Sequence, residues 1–394
     1  MLVSICTPSH NTKYLKELYS SILAQTHDNR ERNILLNWPA IWDVLDYIDD
    51  VRVNIRHTEL LTGIGALKHE VFTKANGEIL VEVDHDDIIT PDCLEKIHAA
   101  FMGDEEVGFV YSDNAKLAES FIPYDTKHWW TYRSFNRGGE KLCAMESLPI
   151  TPANMWYIWF MPDHVRAWRS DVYHAVWWHD ITLEILDDQD LIQRTFMETK
   201  FHHIPEVLYI YRITWENTWT ERNKEIQEWT VRMYDKNIYD IAYRWADING
   251  LEKIDLCWGI NKQEWWTSLD LIWWDICADL DKKWPLKDWS VWVIRAHDAL
   301  EHLVDKQHTM SEIHRVLAPG GILLSSTPST DGRWARQDPT HVSFWNENAF
   351  RYWIASREQP RFIRNTDKLF REIRLYTYEC ADKISYVVAH LEKK

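Results

Sequence analysis

Asp84-His85-Asp86-Asp87 sets three carboxylates and an imidazole side by side, directly after the apolar run Leu80-Val81-Glu82-Val83. Carboxylates two residues apart at a strand end can place one oxygen on a divalent cation and another on a hydroxyl, while phosphate oxygens complete the cation's shell. A cation so held neutralises charge that builds on a departing diphosphate. The same four residues would serve equally as a solvated acidic turn ahead of a helix opening near Pro91.

The elements around this cluster decide its position. Short apolar runs alternate with amphipathic segments through the first third of the chain, the pattern of βα units on a mostly parallel sheet. Strands are expected at 2–7, 33–36, 51–56, 79–84 and 107–112, and helices at 12–25, 64–75 and 91–102. Thr12 is placed to cap the first helix, and Pro91 and Asp92 open the third. Open α/β sheets bind ligands beyond the carboxyl ends of their strands, which is where Asp84 falls. Residues 125–165 are irregular and aromatic, and a charged helical stretch at 216–246 leads into a second alternating series after Asn249-Gly250. That series holds seven strand candidates, at 252–257, 267–271, 276–279, 291–296, 321–327, 371–378 and 384–391.

At 394 residues the chain is long enough for two domains. Its net charge of −17 argues against a nucleic-acid partner, which calls for a basic face. The six cysteines lack any paired spacing and read as core thiols of a reducing compartment. No apolar run approaches the roughly 18–20 residues that span a bilayer, so no integral membrane segment and a cytoplasmic location are expected. The ratio of 24 Trp to 12 Gly is inverted from ordinary usage. Trp38, Trp177-Trp178, Trp258, Trp273-Trp274, Trp289 and Trp334 stand in turn-like contexts where glycine is expected, and we read many of them as glycine positions.

Val3-Ser4-Ile5-Cys6-Thr7-Pro8-Ser9-His10-Asn11, Ser21-Ile22-Leu23-Ala24-Gln25-Thr26, Gly77-Glu78-Ile79-Leu80 and the acidic cluster follow one another in an order and spacing that resemble family 2 glycosyltransferases of the GT-A fold. Leu186-Asp187-Asp188-Gln189-Asp190-Leu191 resembles that family's acidic motif, and Ile204 to Arg212 resembles its closing strand. The resemblance implies a Rossmann-like nucleotide-diphospho-sugar transferase domain over 1–215 and inverting transfer of a sugar to the hydroxyl of a glycan or protein acceptor. Asp188 would be the base, Asp84 and Asp86 the ligands of Mn2+ or Mg2+ with Asp87 in support. Pro8, His10, Asn37, Lys68 and Asp84 would bind the nucleotide sugar. Asn37-Trp38 and Trp177-Trp178 depart from the family's Asp/Asn-rich and Gly-Gly turns.

Ile254-Asp255-Leu256-Cys257-Trp258-Gly259 with Leu269-Asp270 resembles the opening of a class I S-adenosylmethionine-dependent methyltransferase. Ala278-Asp279-Leu280, Ala299-Leu300-Glu301-His302-Leu303 and the run from Glu312 to Gly321 are similar to its later motifs. The resemblance implies a seven-stranded methyltransferase-like domain over 250–394, joined by a helical linker at 216–249. Asp255, Gly259, Asp270 and Asp279 would hold S-adenosylmethionine, and His302 or His341 would act as base. His297 and His302 are spaced by five residues, which does not place them on one helical face as a metal pair. The expected whole is a glycosyltransferase whose second domain O-methylates the sugar or product. The alternatives are a transferase with a non-catalytic second domain, and a binding protein whose cofactor sites Trp closes.

Overall fold

A computed structural model of the chain describes residues 1–37, 50–58, 61, 63–117, 131–155, 164–214, 218–257, 266–272, 275–363 and 367–394. These form two compact units, one of 1–150 with 154–237 and one of 151–153 with 238–394.

The first unit runs β1 (Val3–Ser9), α1 (Leu15–Leu23), β2 (Arg30–Leu36), β3 (Val53–His57), α2 (Ile64–Phe72), β4 (Ile79–Glu82), β5 (Ile88–Ile89), α3 (Cys93–Gly103), β6 (Val107–Leu117), β7 (Tyr132–Arg137), β8 (Glu140–Met145), β9 (Arg166–Arg169), α4 (Ser170–Ala175), α5 (Asp187–Glu198), β10 (Lys200–Arg212), α6 (Thr218–Glu221) and α7 (Asn223–Ile248), within which the division between the units falls. Its sheet is ordered β3-β2-β1-β4-β9-β6-β10-β5, with the β8-β7 hairpin hung on β6. β1 pairs in parallel with β2 and β4, and β9 lies antiparallel between β4 and β6. Val3, Ile5, Ile79, Val81, Val107 and Val110 fill the space between this sheet and the apolar faces of α1 and α3. Each such side chain contributes about 1.5–3 kcal/mol by leaving water.

Two helix starts differ from expectation. α1 begins at Leu15 after Tyr14, with no side-chain cap, because Thr12 to Leu15 close a turn of their own through the Thr12 carbonyl. α3 begins at Cys93 with Asp92 in the capping position, but the Asp92 carboxylate is taken by the Thr90 hydroxyl and by Lys96 rather than by a helix N–H. The irregular stretch also contains an unexpected hairpin, β7 with β8, which turns on Gly138 (φ 56°) and Gly139 (φ 96°).

Trp177 and Trp178 end α4 with φ of 63° each, and their N–H groups bond back to the carbonyls of His174 and Tyr173. Those paired reverse bonds form the helix ending that ordinarily places glycine in the left-handed region. Trp289 has φ 59°. The expectation of glycine-type backbone is therefore met at these three positions, whereas Trp334 opens a 3-10 turn without a positive φ. Trp38, Trp258 and Trp273-Trp274 lie outside the described residues.

The second unit continues with β11 (Glu252–Leu256), β12 (Thr267–Asp270), β13 (Ile276–Cys277), β14 (Val291–His297), α8 (Lys306–Val316), β15 (Leu317–Pro328), α9 (Glu347–Phe350), β16 (Phe370–Glu379) and β17 (Ser385–Lys393). All seven expected strands are present, in the order β13-β12-β11-β14-β15-β17-β16. The first five are parallel, and β17 runs antiparallel to both β15 and β16. Ile254, Leu256, Leu269, Val291, Ile294 and Leu323 carry the core. Among the described residues no helix is long and apolar enough to cross a membrane.

Candidate active site

In the first unit the chain builds outward from β1 through β2 to β3, then returns to β4 on the other side of β1. That reversal leaves a crevice beyond the carboxyl ends of β1 and β4, the place where open sheets of this kind take their ligands. Pro8 is buried within β1, His10 is exposed just past its end, and Asp84 follows β4 by two residues.

Glu82, the last residue of β4, is fully buried, and a charge can remain there only if it is paired. Its Oε1 accepts Lys68 Nζ at 2.8 Å and lies 3.4 Å from an Arg166 guanidinium nitrogen. Burial pushes the Glu82 carboxyl up, but Lys68 and Arg166 overcome this and hold it well below the usual carboxylate range. The same Arg166 nitrogen donates to Asp188 Oδ2 at 2.8 Å, and Lys68 also reaches Asp187 Oδ2 at 3.2 Å. The start of α5 is thereby tied to β4 and β9 by ion pairs. Burial likewise raises the Asp188 carboxyl, and Arg166 and Lys68 bring it below its ordinary value, so this carboxylate is an ionised acceptor of protons at neutral pH.

Asp84 behaves in the opposite way. Burial raises its carboxyl to about 7, with Glu82 and Asp86 adding to the shift and Lys68 opposing it. Ligand atoms of Glu82, Asp84 and His164 lie within 4.8 Å of one another, with His164 Nε2 3.8 Å from Asp84 Oδ2. Among the described residues, Glu82 Oε2 is buried without a hydrogen-bond partner. An orphaned carboxylate oxygen, a carboxyl destabilised by like charge and a neutral imidazole form a donor set that fits a divalent cation. Asp86, the other expected ligand, stands outside this trio and meets His85 at 3.9 Å. Asp87 has a framing role: its oxygens accept the Tyr209 hydroxyl at 2.7 Å and the Arg212 N–H at 2.6 Å. Tyr209 Oη also accepts the Asp84 N–H, and Arg212 Nε donates to the Asp86 carbonyl, so β10 fastens the acidic turn.

Two residues expected at the nucleotide are committed elsewhere. Lys68 is buried in its pairs with Glu82 and Asp187 because α2 packs its ammonium against the end of β4, and its charge is spent there rather than exposed for a phosphate. Asn37 exchanges both amide bonds with the Leu61 backbone, at 2.7 and 2.9 Å. His10 packs against His85 with ring centroids 4.5 Å apart.

In the second unit the reversal falls between β11 and β14. Asp255 pairs with Arg295 at 3.0 Å, and burial lifts its carboxyl to about 7 despite that partner. Asp270 ends β12 half-buried, and Asp279 pairs with Lys282 at 3.0 Å. Gly259 lies outside the described residues. His302 and His341 come together with ring centroids 5.1 Å apart, next to buried Glu301. His297 is bound instead by Tyr239 and Arg295.

Glu82, His164 and Arg166 were not expected at the site. Glu82 had a local signal, a carboxylate inside an apolar strand. Arg166 and His164 had none, since their partners Asp188 and Asp84 stand far away in sequence.

Residues 4–162 match the family model of glycosyl transferase family 2, and residues 261–325 match a methyltransferase domain model. The chain is 34% identical over 227 residues to glycosyltransferase GlyG of Streptococcus pneumoniae serotype 4 (strain ATCC BAA-334 / TIGR4), covering 54% of this chain and 70% of that protein. It belongs to glycosyl transferase family 2. It is also 27% identical over 129 residues to TuaG of Bacillus subtilis (strain 168), covering 32% of this chain and spanning about half of that protein (51%). Among solved structures, S. aureus TarS 1-349 in complex with UDP-GlcNAc superposes with a TM-score of 0.46 at 15% identity, over 63% of this chain and 72% of that one. The mannosyltransferase PcManGT from Pyrobaculum calidifontis, in complex with GDP-Man and Mn2+, gives 0.42 at 15% identity, over 57% and 60%.

Proposed function

We propose that the first unit is an inverting glycosyltransferase that moves a sugar from a nucleoside-diphosphate donor to an acceptor hydroxyl, with Asp188 as the base. One observation carries this reading: Asp188 is held ionised by Arg166 in the same ion-pair network that fixes Glu82, two residues before Asp84. An ionised, oriented carboxylate can take the proton of a hydroxyl as its oxygen attacks the anomeric carbon. Asp84, Glu82 and His164 would hold Mn2+ or Mg2+, with Asp86 a further oxygen donor beside them. When bound, that cation supplies charge neutralisation to the leaving diphosphate. Pro8 and His10, at the end of β1, would face the nucleotide, and a glycan or protein hydroxyl is the acceptor class.

The test is release of nucleoside diphosphate from donor sugars, with Mn2+ and after chelation. Asp188→Asn should lower kcat by about 10²–10⁴-fold with donor affinity retained, the range lost with a general base. Asp84→Asn should instead raise the Mn2+ concentration needed. Equal activity of both variants and the parent would overturn the assignment.

For the second unit, the seven-stranded sheet and the matched methyltransferase model support binding of S-adenosylmethionine and O-methylation of the sugar or product, with His302 or His341 near the acceptor. Asp255, Gly259, Asp270 and Asp279 are the residues proposed at the cofactor. Calorimetric titration of the folded chain with S-adenosylmethionine separates this from a non-catalytic scaffold, which would give no heat.

A further inference from the structure

At the carboxyl edge of β14 the second unit gathers donors that neither cofactor binding nor the core requires. Glu301 is 1% exposed, and its Oε2 accepts the Thr327 hydroxyl. Among the described residues, its Oε1 is buried without a hydrogen-bond partner. An unpaired buried carboxylate oxygen is costly unless something cationic meets it. Beside it, His302 Nδ1 lies 3.1 Å from the Thr340 carbonyl and His341 Nδ1 lies 3.3 Å from the Ala335 carbonyl. A carbonyl only accepts, so each Nδ1 carries a proton and Nε2 is the nitrogen left for a ligand, that of His341 lying 3.9 Å from Asp338 Oδ2. An imidazole anchored through Nδ1–H to a backbone carbonyl is the arrangement that orients a metal-ligating histidine. Ligand atoms of Glu301, His302 and His341 all lie within 4.8 Å of one another.

We propose that Glu301, His302 and His341 bind one divalent transition-metal ion of the Zn2+ class through one carboxylate oxygen and two imidazole nitrogens. Two nitrogens and one oxygen suit a borderline cation better than Ca2+ or Mg2+, which favour all-oxygen shells. Three protein donors leave a position of a tetrahedral ion open to an oxygen ligand. The site stands just past β14, where the strand order reverses, so that oxygen belongs to water or to a hydroxyl-bearing molecule in the crevice. Asp298, at φ 47°, hydrogen-bonds Tyr386 and lies within electrostatic reach of both histidines, adding negative potential around the ion. The proposal concerns metal binding and stands whether or not the unit transfers methyl groups.

The test uses the full chain in an Asp84→Asn background, which takes one of the first unit's three donors away and so weakens any ion held there. After chelation and gel filtration in low free Zn2+, the background protein should retain about one Zn2+ per chain, as a single three-donor site requires. Glu301→Gln and His302→Asn/His341→Asn should each lose it, with circular dichroism unchanged. Glu301→Gln keeps an oxygen for the Thr327 hydroxyl and so guards the fold. As a readout that needs no variant in the second unit, Co2+ loaded into the background protein should give two strongly shifted, exchangeable imidazole N–H resonances from the two Nδ1 protons. Absence of stoichiometric Zn2+ together with absence of those resonances would overturn the site, as would full Zn2+ retention in both variants.

Discussion

Replacing Arg166 with methionine separates the proposed base from its surroundings. Arg166 donates to Asp188 Oδ2 at 2.8 Å and is itself almost fully buried, so water cannot take over its role. Methionine keeps much of the stem's volume and removes the charge. In the parent, burial works against ionisation of Asp188, and the two cations, Arg166 foremost, overcome it. An adjacent guanidinium depresses an aspartate by about 1–3 pK units, or about 1.4–4 kcal/mol of preference for the ionised form. Without it the Asp188 pKa rises, since a carboxylate that loses a positive partner binds its proton more tightly. The active form is the deprotonated one, so activity in Arg166→Met is lost at a higher pH as the solution is acidified. The profile of kcat/KM, taken at saturating Mn2+ with a fixed donor, should show its acid limb moved upward by about 1–3 units, with much of the alkaline rate preserved. A limb that coincides with the parent's in a folded variant would refute the role of Asp188 as base.

Lys68→Met strips one partner from buried Glu82 and should destabilise the first unit by about 3–5 kcal/mol, read as a fall in urea midpoint at constant slope. Trp177→Gly acts in the opposite sense. The left-handed backbone costs an ordinary residue about 1–2 kcal/mol, while glycine's extra unfolded freedom costs about 0.4–1 kcal/mol. Because Trp177 is 77% exposed, little burial is lost, and the net gain of up to about 1.6 kcal/mol should raise the melting temperature by up to about 3–6 °C in calorimetry. Tyr209→Phe removes the hydroxyl that joins Asp84 to Asp87 and should weaken Mn2+ binding measured by electron paramagnetic resonance, by about 10-fold for a lost supporting contact.

Much of the fold was legible because its strands are short apolar runs bounded by turns. The seven strands of the second unit fall at the expected places, from Ile254 in β11 to Val388 in β17. The β7-β8 hairpin escaped because Tyr132 to Met145 has only a weak two-residue alternation and half-buried faces, although Gly138-Gly139 marks its turn. At the site, Asp84 and Asp188 could be picked out from local motifs. What holds them could not, since Arg166 meets Asp188 and Glu82 only after the sheet has formed. Lys68 shows the converse: a lysine near a proposed phosphate site reads as a ligand until the depth of α2 reveals a buried partner for Glu82.

The bonds from β10 to the acidic turn carry a consequence for the order of assembly. Tyr209 reaches Asp87 across 122 residues and Arg212 reaches Asp86 across 126. Contacts this distant are slow to form, because the intervening loop must close before they reward it. During synthesis β1 and β4 can pair as soon as both have emerged, but the turn after β4 gains its clamp only once residue 212 is available. A ribosome-bound chain cut short before Lys200 would therefore carry the Asp84 turn without the strand that fastens it, and competence to hold a cation there would arrive late, as one step with the docking of β10.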